Sequence, residues 1–192
     1  DKLMKQKELV ARKQRELAII EQKIDHRLDQ LRDAMNSELD VIQLKKVSSC
    51  RIVWLKDSLR PKSYLDLEYA IRRLEENQTE SVVYLGKVGV GISKENLLAG
   101  RFDQYDSVFL VLDAEDSYEG TVEQHPEELC VSMCFCGSHK EAGAHYEKMM
   151  EYIEKHKMEV TGFSREITMI DYGITNNTDK FVTEILIPIK CA

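Results

Sequence analysis

The first forty-five residues contain no glycine, no proline and no aromatic residue. Across them Leu3, Val10, Leu17, Ile24 and Leu31 recur at intervals of seven, and Ile20, Leu28 and Met35 fill the alternating gaps. That pattern is the seam of a coiled coil. A helix continued to about Leu44 would be roughly 65 Å long at about 1.5 Å per residue. A helix with one apolar stripe cannot bury it alone, and the chain offers no second helix of comparable length. The economical partner is another copy of the same chain, which predicts a homodimer. Packing of the stripe onto the chain's own globular part is the alternative. The composition changes near Lys45, which divides the chain into a helix at 1–45 and a globular part at 46–192.

Beyond that boundary the sequence reads as strand, helix, strand, strand, twice over. Residues 47–55 (VSSCRIVWL) have strand composition, and Ser63 with Asp66 forms a capping box for a helix with core positions Leu67, Ala70, Ile71 and Leu74, ending near Asn77. Residues 81–92, interrupted by glycines, and 107–112 (SVFLVL) read as the next two strands. The second half opens with the strand 129–136 (LCVSMCFC). A helix follows, capped by Ser138 and Glu141 and carrying Ala142, Tyr146, Met149 and Ile153 on its core stripe. Residues 163–172 and 181–189 close it as a hairpin, with turn chemistry from Thr175, Asn176, Asn177 and Asp179. Residues 64–77 superpose on 144–157 with a shift of eighty. The expected fold is α+β: two βαββ units related by a pseudo-twofold axis, joined into one antiparallel sheet with the helices on one face and a groove on the other.

Two carboxylates, Glu166 and Glu184, fall in the middle of the hairpin strands. A mid-strand carboxylate must face water, meet a cation, or line a cavity, because an ionised group in a dry interior is costly. If 108–112 corresponds to 185–189, Ser107 stands where Glu184 does, and the groove is acidic in one half only. Aromatic residues that can wall such a groove include Trp54, Phe109, Tyr146, Tyr152, Phe163, Tyr172 and Phe181. A cation over such a ring gains about 0.5–2 kcal/mol.

Other chemistries find little support. The formal charge of −7 and pI of about 5.4 give no basic footprint for nucleic acid. Five cysteines without a zinc-like C-x-x-C pair, with no signal peptide and no long apolar run, fit a reduced cytoplasmic protein that does not enter a membrane. Cys130, Cys134 and Cys136 lie in line along one strand face, too far apart to chelate one ion, and the histidines lack metal spacing and read as surface groups. Gly86, Gly89 and Gly91 sit inside a strand without the Lys-Ser/Thr ending of a phosphate loop, and read as a bulge or bend. No nucleophile elbow is present, and neither a metal nor a cofactor is implied.

The pseudo-repeat, the segment YEKMMEYIEKHKMEVTGFSREITMIDYG at 146–173 and the ending DKFVTEILIPIK at 179–190 resemble the gyrase-inhibitor-like ligand-binding domain. The heptad helix before it resembles the dimerisation helix of MerR-type transcription regulators that carry this domain as a multidrug sensor. The resemblance implies a dimeric cytoplasmic regulator that binds lipophilic or cationic small molecules and touches promoter DNA only through an N-terminal winged-helix domain missing here. The chain begins at Asp1, inside the helical pattern, and reads as a fragment. By resemblance, the buried Glu that holds lipophilic cations corresponds to Glu166 of the SREI segment, and the groove Glu of the T-E-I segment to Glu184. Phe181 stands where a sensor can carry a pocket Tyr, and Trp54, Tyr146, Tyr152 and Tyr172 are further candidate walls. Some relatives are similar to hydrolases of cyclopropane-containing natural products, which would make Glu184 a general base beside Tyr146 or Tyr152. A protein-binding gyrase inhibitor is a third implication, one that has no use for the long helix.

Overall fold

The computed structural model describes residues 1–59, 88–114, 116, 118–171 and 174–191, the side chains of 55–59 excepted. The helix expected at 63–77, most of the strand expected at 81–92, and Tyr172 lie outside them. The chain opens with α1 (Lys2–Asn36), whose N-cap Asp1 accepts from the Leu3 amide at 3.1 Å. It ends eight residues before the heptad pattern predicts. Ser37 folds its hydroxyl back onto the Ala34 carbonyl (2.7 Å), Asp40 adopts a positive φ of 61°, and the apolar residues that follow enter the sheet. Leu3, Val10, Leu17, Ile20, Ile24, Leu28 and Met35 are all exposed on this helix, and of the stripe only Leu31 packs onto the sheet. No helix among the described residues is long and apolar enough to cross a membrane.

Nine strands form one sheet: β1 (Gln43–Val47), β2 (Cys50–Leu59), β3 (Val88–Gly91), β4 (Tyr105–Leu112), β5 (Glu123–His125), β6 (Glu128–Cys136), β7 (Met158–Val160), β8 (Arg165–Ile170) and β9 (Val182–Cys191). Two further α-helices among the described residues are α2 (Lys94–Leu98) and α3 (Ala142–Lys155). Eight of the strands, in the order β1-β6-β9-β8-β3-β4-β2-β5, are symmetric about the β8/β3 seam, β7 pairs with β9 off this path, and every pairing is antiparallel. Val90 pairs with Glu166 at that seam, and their neighbours Val108 and Ile185 are equivalent, as are Ser107 and Glu184 one residue before. The duplication expected from the sequence is therefore present in the strands, at a slightly smaller offset than eighty.

The outer edges are joined as well. The pairing that starts at Gln43↔Ser132 reaches Val47↔Glu128 and resumes in the same register at Cys50↔His125, ending at Ile52↔Glu123. A two-stranded ribbon thus crosses from the edge of one half to the edge of the other, and Arg165 reaches across to Cys50 (3.6 Å) and Cys130 (3.5 Å) on either side of the crossing. The sheet is curled around one concave face.

α3 packs its stripe of Ala142, Tyr146, Met149 and Ile153 on the other face, against Val131, Met133, Ile185 and Ile187. It starts one residue after Glu141, whose carboxylate turns back to the Ser138 amide (2.8 Å) and hydroxyl (2.9 Å). The last turns of α1 lie against the concave face, where Ala34 and Leu31 meet Cys134, Met169 and Val182. The long helix therefore lies on the face opposite α3, and of the two repeat helices expected together on one face, α3 is the one that falls among the described residues. Apolar contact is the reason: Cys134 and Val182 are set on the concave side by strand alternation, and α1 covers them there.

β3 pairs with β4 without a bulge at Gly89 and Gly91, and Gly86 lies outside the described residues. A Cβ on Gly89 would stand 2.4 Å from the Phe109 ring and 2.5 Å from the Glu166 carbonyl oxygen, and one on Gly91 would stand 3.1 Å from the Trp54 ring. Rings from β2 and β4 lie over bare backbone, which is why these positions carry no side chain. Gly89→Ala is expected to destabilise the fold by about 1–3 kcal/mol in chemical denaturation, as overpacking does. Gly143→Ala, with nothing within 4 Å on α3, is expected to be neutral or stabilising.

Candidate ligand-binding sites

The hairpin β8–β9 carries both carboxylates, and it sends them to opposite sides of the sheet. Glu166 is paired with Ile185, a residue of the helix-covered core, while Glu184 is paired with Ile167 and Cys134 on the concave face. The cause is a register shift between Thr168 and Ile170. At Ile170↔Val182 the strands are one residue out of step with Thr168↔Thr183. Had the first register continued, Glu166 and Glu184 would share a face. The single acidic groove pictured from the sequence is replaced by two separate sites. Met169, at the shift, turns its carbonyl to Arg27 of α1, whose Nη2 donates to it at 2.8 Å.

Glu166 is fully buried. Tyr105 donates its hydroxyl to both carboxylate oxygens at 3.0 Å, and His139 Nδ1 stands 2.5 Å from Oε1. Tyr146 completes the surround: its hydroxyl meets Ser164 Oγ at 2.9 Å, and Ser164 Oγ in turn accepts from the Ile92 amide. Burial first, and then the negative charge of Glu166, push both the Tyr105 and the Tyr146 phenols far above their usual range, so both stay protonated donors. His139 is the one member of the group with side-chain exposure, 22%. Its Nε2 faces the Thr168 hydroxyl at 3.4 Å, and Thr168 is bonded to Thr183 at 3.0 Å.

Glu184 is set into the wall of the concave face with 15% of its side chain exposed. It accepts from Ser132 Oγ at 3.1 Å and from Lys45 Nζ at 2.6 Å. Burial alone would lower the Lys45 ammonium, but the attraction of Glu184, with Cys134 and Asp33 behind it, leaves it raised and firmly charged. This ion pair opens onto a cleft of about 570 Å³ between the sheet and the end of α1. A second cleft of about 200 Å³ lies on the same face of the sheet, walled by Trp54, Phe163, His125 and Arg165. Trp54 stacks obliquely on Phe109 and Phe163, each 5.2 Å away, and Arg165 is held by Glu128 at 2.6 Å.

The other candidates separate accordingly. Tyr146 belongs to the Glu166 group, while Trp54 and Phe163 belong to the smaller cleft. Tyr152, nearly two turns further along α3, stacks on His156 instead. Phe181 is buried just before β9, where its carbonyl accepts from the Gly137 amide. Glu184 has no tyrosine partner among the described residues, so the general-base pair with Tyr146 or Tyr152 is not assembled. Tyr105, His139 and Lys45 were missed in the sequence. His139 was read as a surface group, yet it is bound to a carboxylate. The one local signal was its place at the start of a helix whose stripe contains Tyr146.

The GyrI-like small molecule binding domain matches residues 42–190. The chain belongs to that family. Among solved structures, the fold is similar to the EcmrR C-terminal domain, with a TM-score of 0.58 at 15% identity over 79% of this chain and 98% of that one. It is also similar to EcmrR in a complex with DNA, with a TM-score of 0.59 at 17% identity over 100% of this chain and 73% of that one. A hydrolase from Listeria innocua is similar at a TM-score of 0.50 and 14% identity, over 81% of this chain and 95% of that one. No curated protein matches the chain.

The two carboxylates differ in what they contribute to folding. Tyr105→Phe removes a donor from a buried charged acceptor and is expected to cost about 1.5–3 kcal/mol in chemical denaturation. Lys45→Gln, in a half-exposed ion pair, is expected to change stability by less than about 1 kcal/mol.

Proposed function

We propose that the chain is the effector-binding and dimerisation part of a MerR-type transcription regulator, and that it senses lipophilic or cationic small molecules through Glu166. The observation that carries this reading is the difference between the partners of the two carboxylates. Glu184 already has a lysine, Lys45, as its cation, whereas the described partners of Glu166 include no lysine or arginine: they are the Tyr105 phenol and the His139 imidazole, which pairs as a cation only when it carries a second proton. A desolvated carboxylate without a fixed counter-ion attracts a cation far more strongly than one in water does. The surrounding Tyr105 and Tyr146 rings suit an apolar, delocalised cation. Entry leads past His139, the outermost member, whose hydrogen bond to Oε1 the ligand replaces.

A ligand regulates only if it favours one arrangement of the protein over another. Here Glu166 and Arg27 engage the same strand three residues apart, since Arg27 holds the Met169 carbonyl at the register shift. Movement of β8 on binding is thereby passed to α1. The exposed stripe on α1 supports pairing with a second copy, and the whole-chain similarity to EcmrR, solved with DNA, supports a place in transcription. With a net charge of −7 this chain has no footprint for DNA, which is assigned to a part of the regulator outside these residues. Five free cysteines fit a cytoplasmic setting. A second reading, a hydrolase, has in its favour the tyrosine hydroxyls gathered around Glu166. It differs in one outcome, because a hydrolase consumes a strained cyclopropane and a sensor returns its ligand intact.

A lipophilic phosphonium at about a hundred times its Kd is expected to stabilise the protein by about 2.7 kcal/mol, a rise in Tm of about 5–10 °C for a chain of this size. Glu166→Gln is expected to lose most of that rise in a thermal-shift series, while Glu184→Gln keeps it. Equal stabilisation of wild type and Glu166→Gln contradicts the reading.

A further inference from the structure

The larger cleft lies across the sheet from Glu166 and plays no part in that site. Asp33 and Ala34 of α1 form one wall, and Cys134 and Met169 of the sheet form the other. Its volume of about 570 Å³ falls within the range of small-molecule pockets, about 300–1,000 Å³. The walls mix polar and apolar side chains, and of the three carboxylates that line them, Asp33, Glu38 and Glu184, the last is recessed, with 15% of its side chain exposed. Gln30 also lines it, and its Oε1 is buried with no hydrogen-bond partner among the described residues. An unmatched acceptor beside a recessed acid asks for a donor that carries positive charge.

At present that charge comes from Lys45, and its anchorage is weak. Its side chain is 51% exposed, and it sits on β1, whose side chains are mostly exposed and which, among the described residues, pairs with the sheet through β6 alone. The half-exposed ammonium gains water when it leaves, and an incoming cation keeps the recessed Glu184 paired, so the exchange costs little. The arrangement exists in one half of the molecule only. The position equivalent to Glu184 is Ser107, and the ribbon pairing makes Glu123 the counterpart of Lys45.

We propose that this cleft is a second binding site, for a small alkyl cation such as a primary ammonium or a guanidinium, and that Lys45 is a resident stand-in which the ligand displaces. The alkyl part lies against Met169 and Cys134, the cation bonds to Glu184, and a second N–H reaches Gln30. Because one wall is α1, the occupant touches the long helix directly. The proposal does not depend on Glu166, which faces the opposite side.

The test is a titration of the intact chain, labelled with 13C-methyl methionine, with hexylguanidinium and with hexanol as the uncharged control. Met169 reports on this cleft, and Met149, on the buried stripe of α3, reports on the core beside Tyr146. Saturable movement of the Met169 signal with hexylguanidinium alone is expected. Lys45→Gln should tighten binding about two- to fivefold, by removing the competitor, and Glu184→Gln should abolish it. A still Met169 signal, weaker binding in Lys45→Gln, or unchanged binding in Glu184→Gln overturns the proposal. Movement of Met149 with Met169 unmoved overturns it too, while leaving the Glu166 site in place. Should Glu184→Gln fail to fold, the exposed Lys45→Gln variant decides alone.

Discussion

A one-residue slip in a single strand pairing governs the chemistry of this molecule. Between Thr168 and Ile170 the register of β8 on β9 changes, and the change is what sends Glu166 into the dry core and Glu184 to the concave face. Side chains alternate with a period of two, so a slip of one residue exchanges every neighbour's surroundings. The buried carboxylate then needs donors, which Tyr105 and His139 supply, and the recessed one needs a counter-ion, which Lys45 supplies. The slip itself leaves a carbonyl to be satisfied, and Arg27 reaches in from α1 to do so. Burial lowers the Arg27 guanidinium, Asp171 opposing, but leaves it a cation, so the long helix is tied by a charged hydrogen bond to the element that separates the two acids.

The duplicated sheet makes this asymmetry possible. Its two halves supply equivalent backbone positions, but the chemistry placed on them differs throughout. Val90 stands opposite Glu166, Ser107 matches Glu184, and the glycines of β3 leave room for Phe109 and Trp54 where the other half has side chains of its own. One half fills its concave side with rings, and the other leaves a cleft. The ribbon formed by β1–β2 and β5–β6 holds the two edges together across Arg165 and fixes the curvature that both clefts require.

Much of this was legible in the sequence where the signal is local. The heptad helix, the strand composition at 129–136 and 181–189, the turn at Asn177, and the equivalence of Ser107 with Glu184 all follow from residue type and spacing, and the structure has them. Glu166 and Glu184 stood out because carboxylates are rare in mid-strand. Their opposite facing was not legible, because it depends on the slip at Met169, and nothing about a methionine announces a change of register. Tyr105, His139 and Lys45 were hidden for a related reason: each meets its carboxylate across 27 to 139 residues of chain. The helix ended early because Ser37 and Asp40 redirect the backbone, an effect that the apolar period, which runs on to Leu44, conceals.

The central proposal is that the core carboxylate, with no lysine or arginine among its described partners, is where a lipophilic cation is held. A crystal structure of the intact chain with such a cation bound tests it most directly. The account predicts positive charge within about 6 Å of Glu166 on the helix side, the His139 hydrogen bond broken, and Lys45 still closed on Glu184. A cation seated on the concave face, with Glu166 still bonded to Tyr105 and His139, would contradict it.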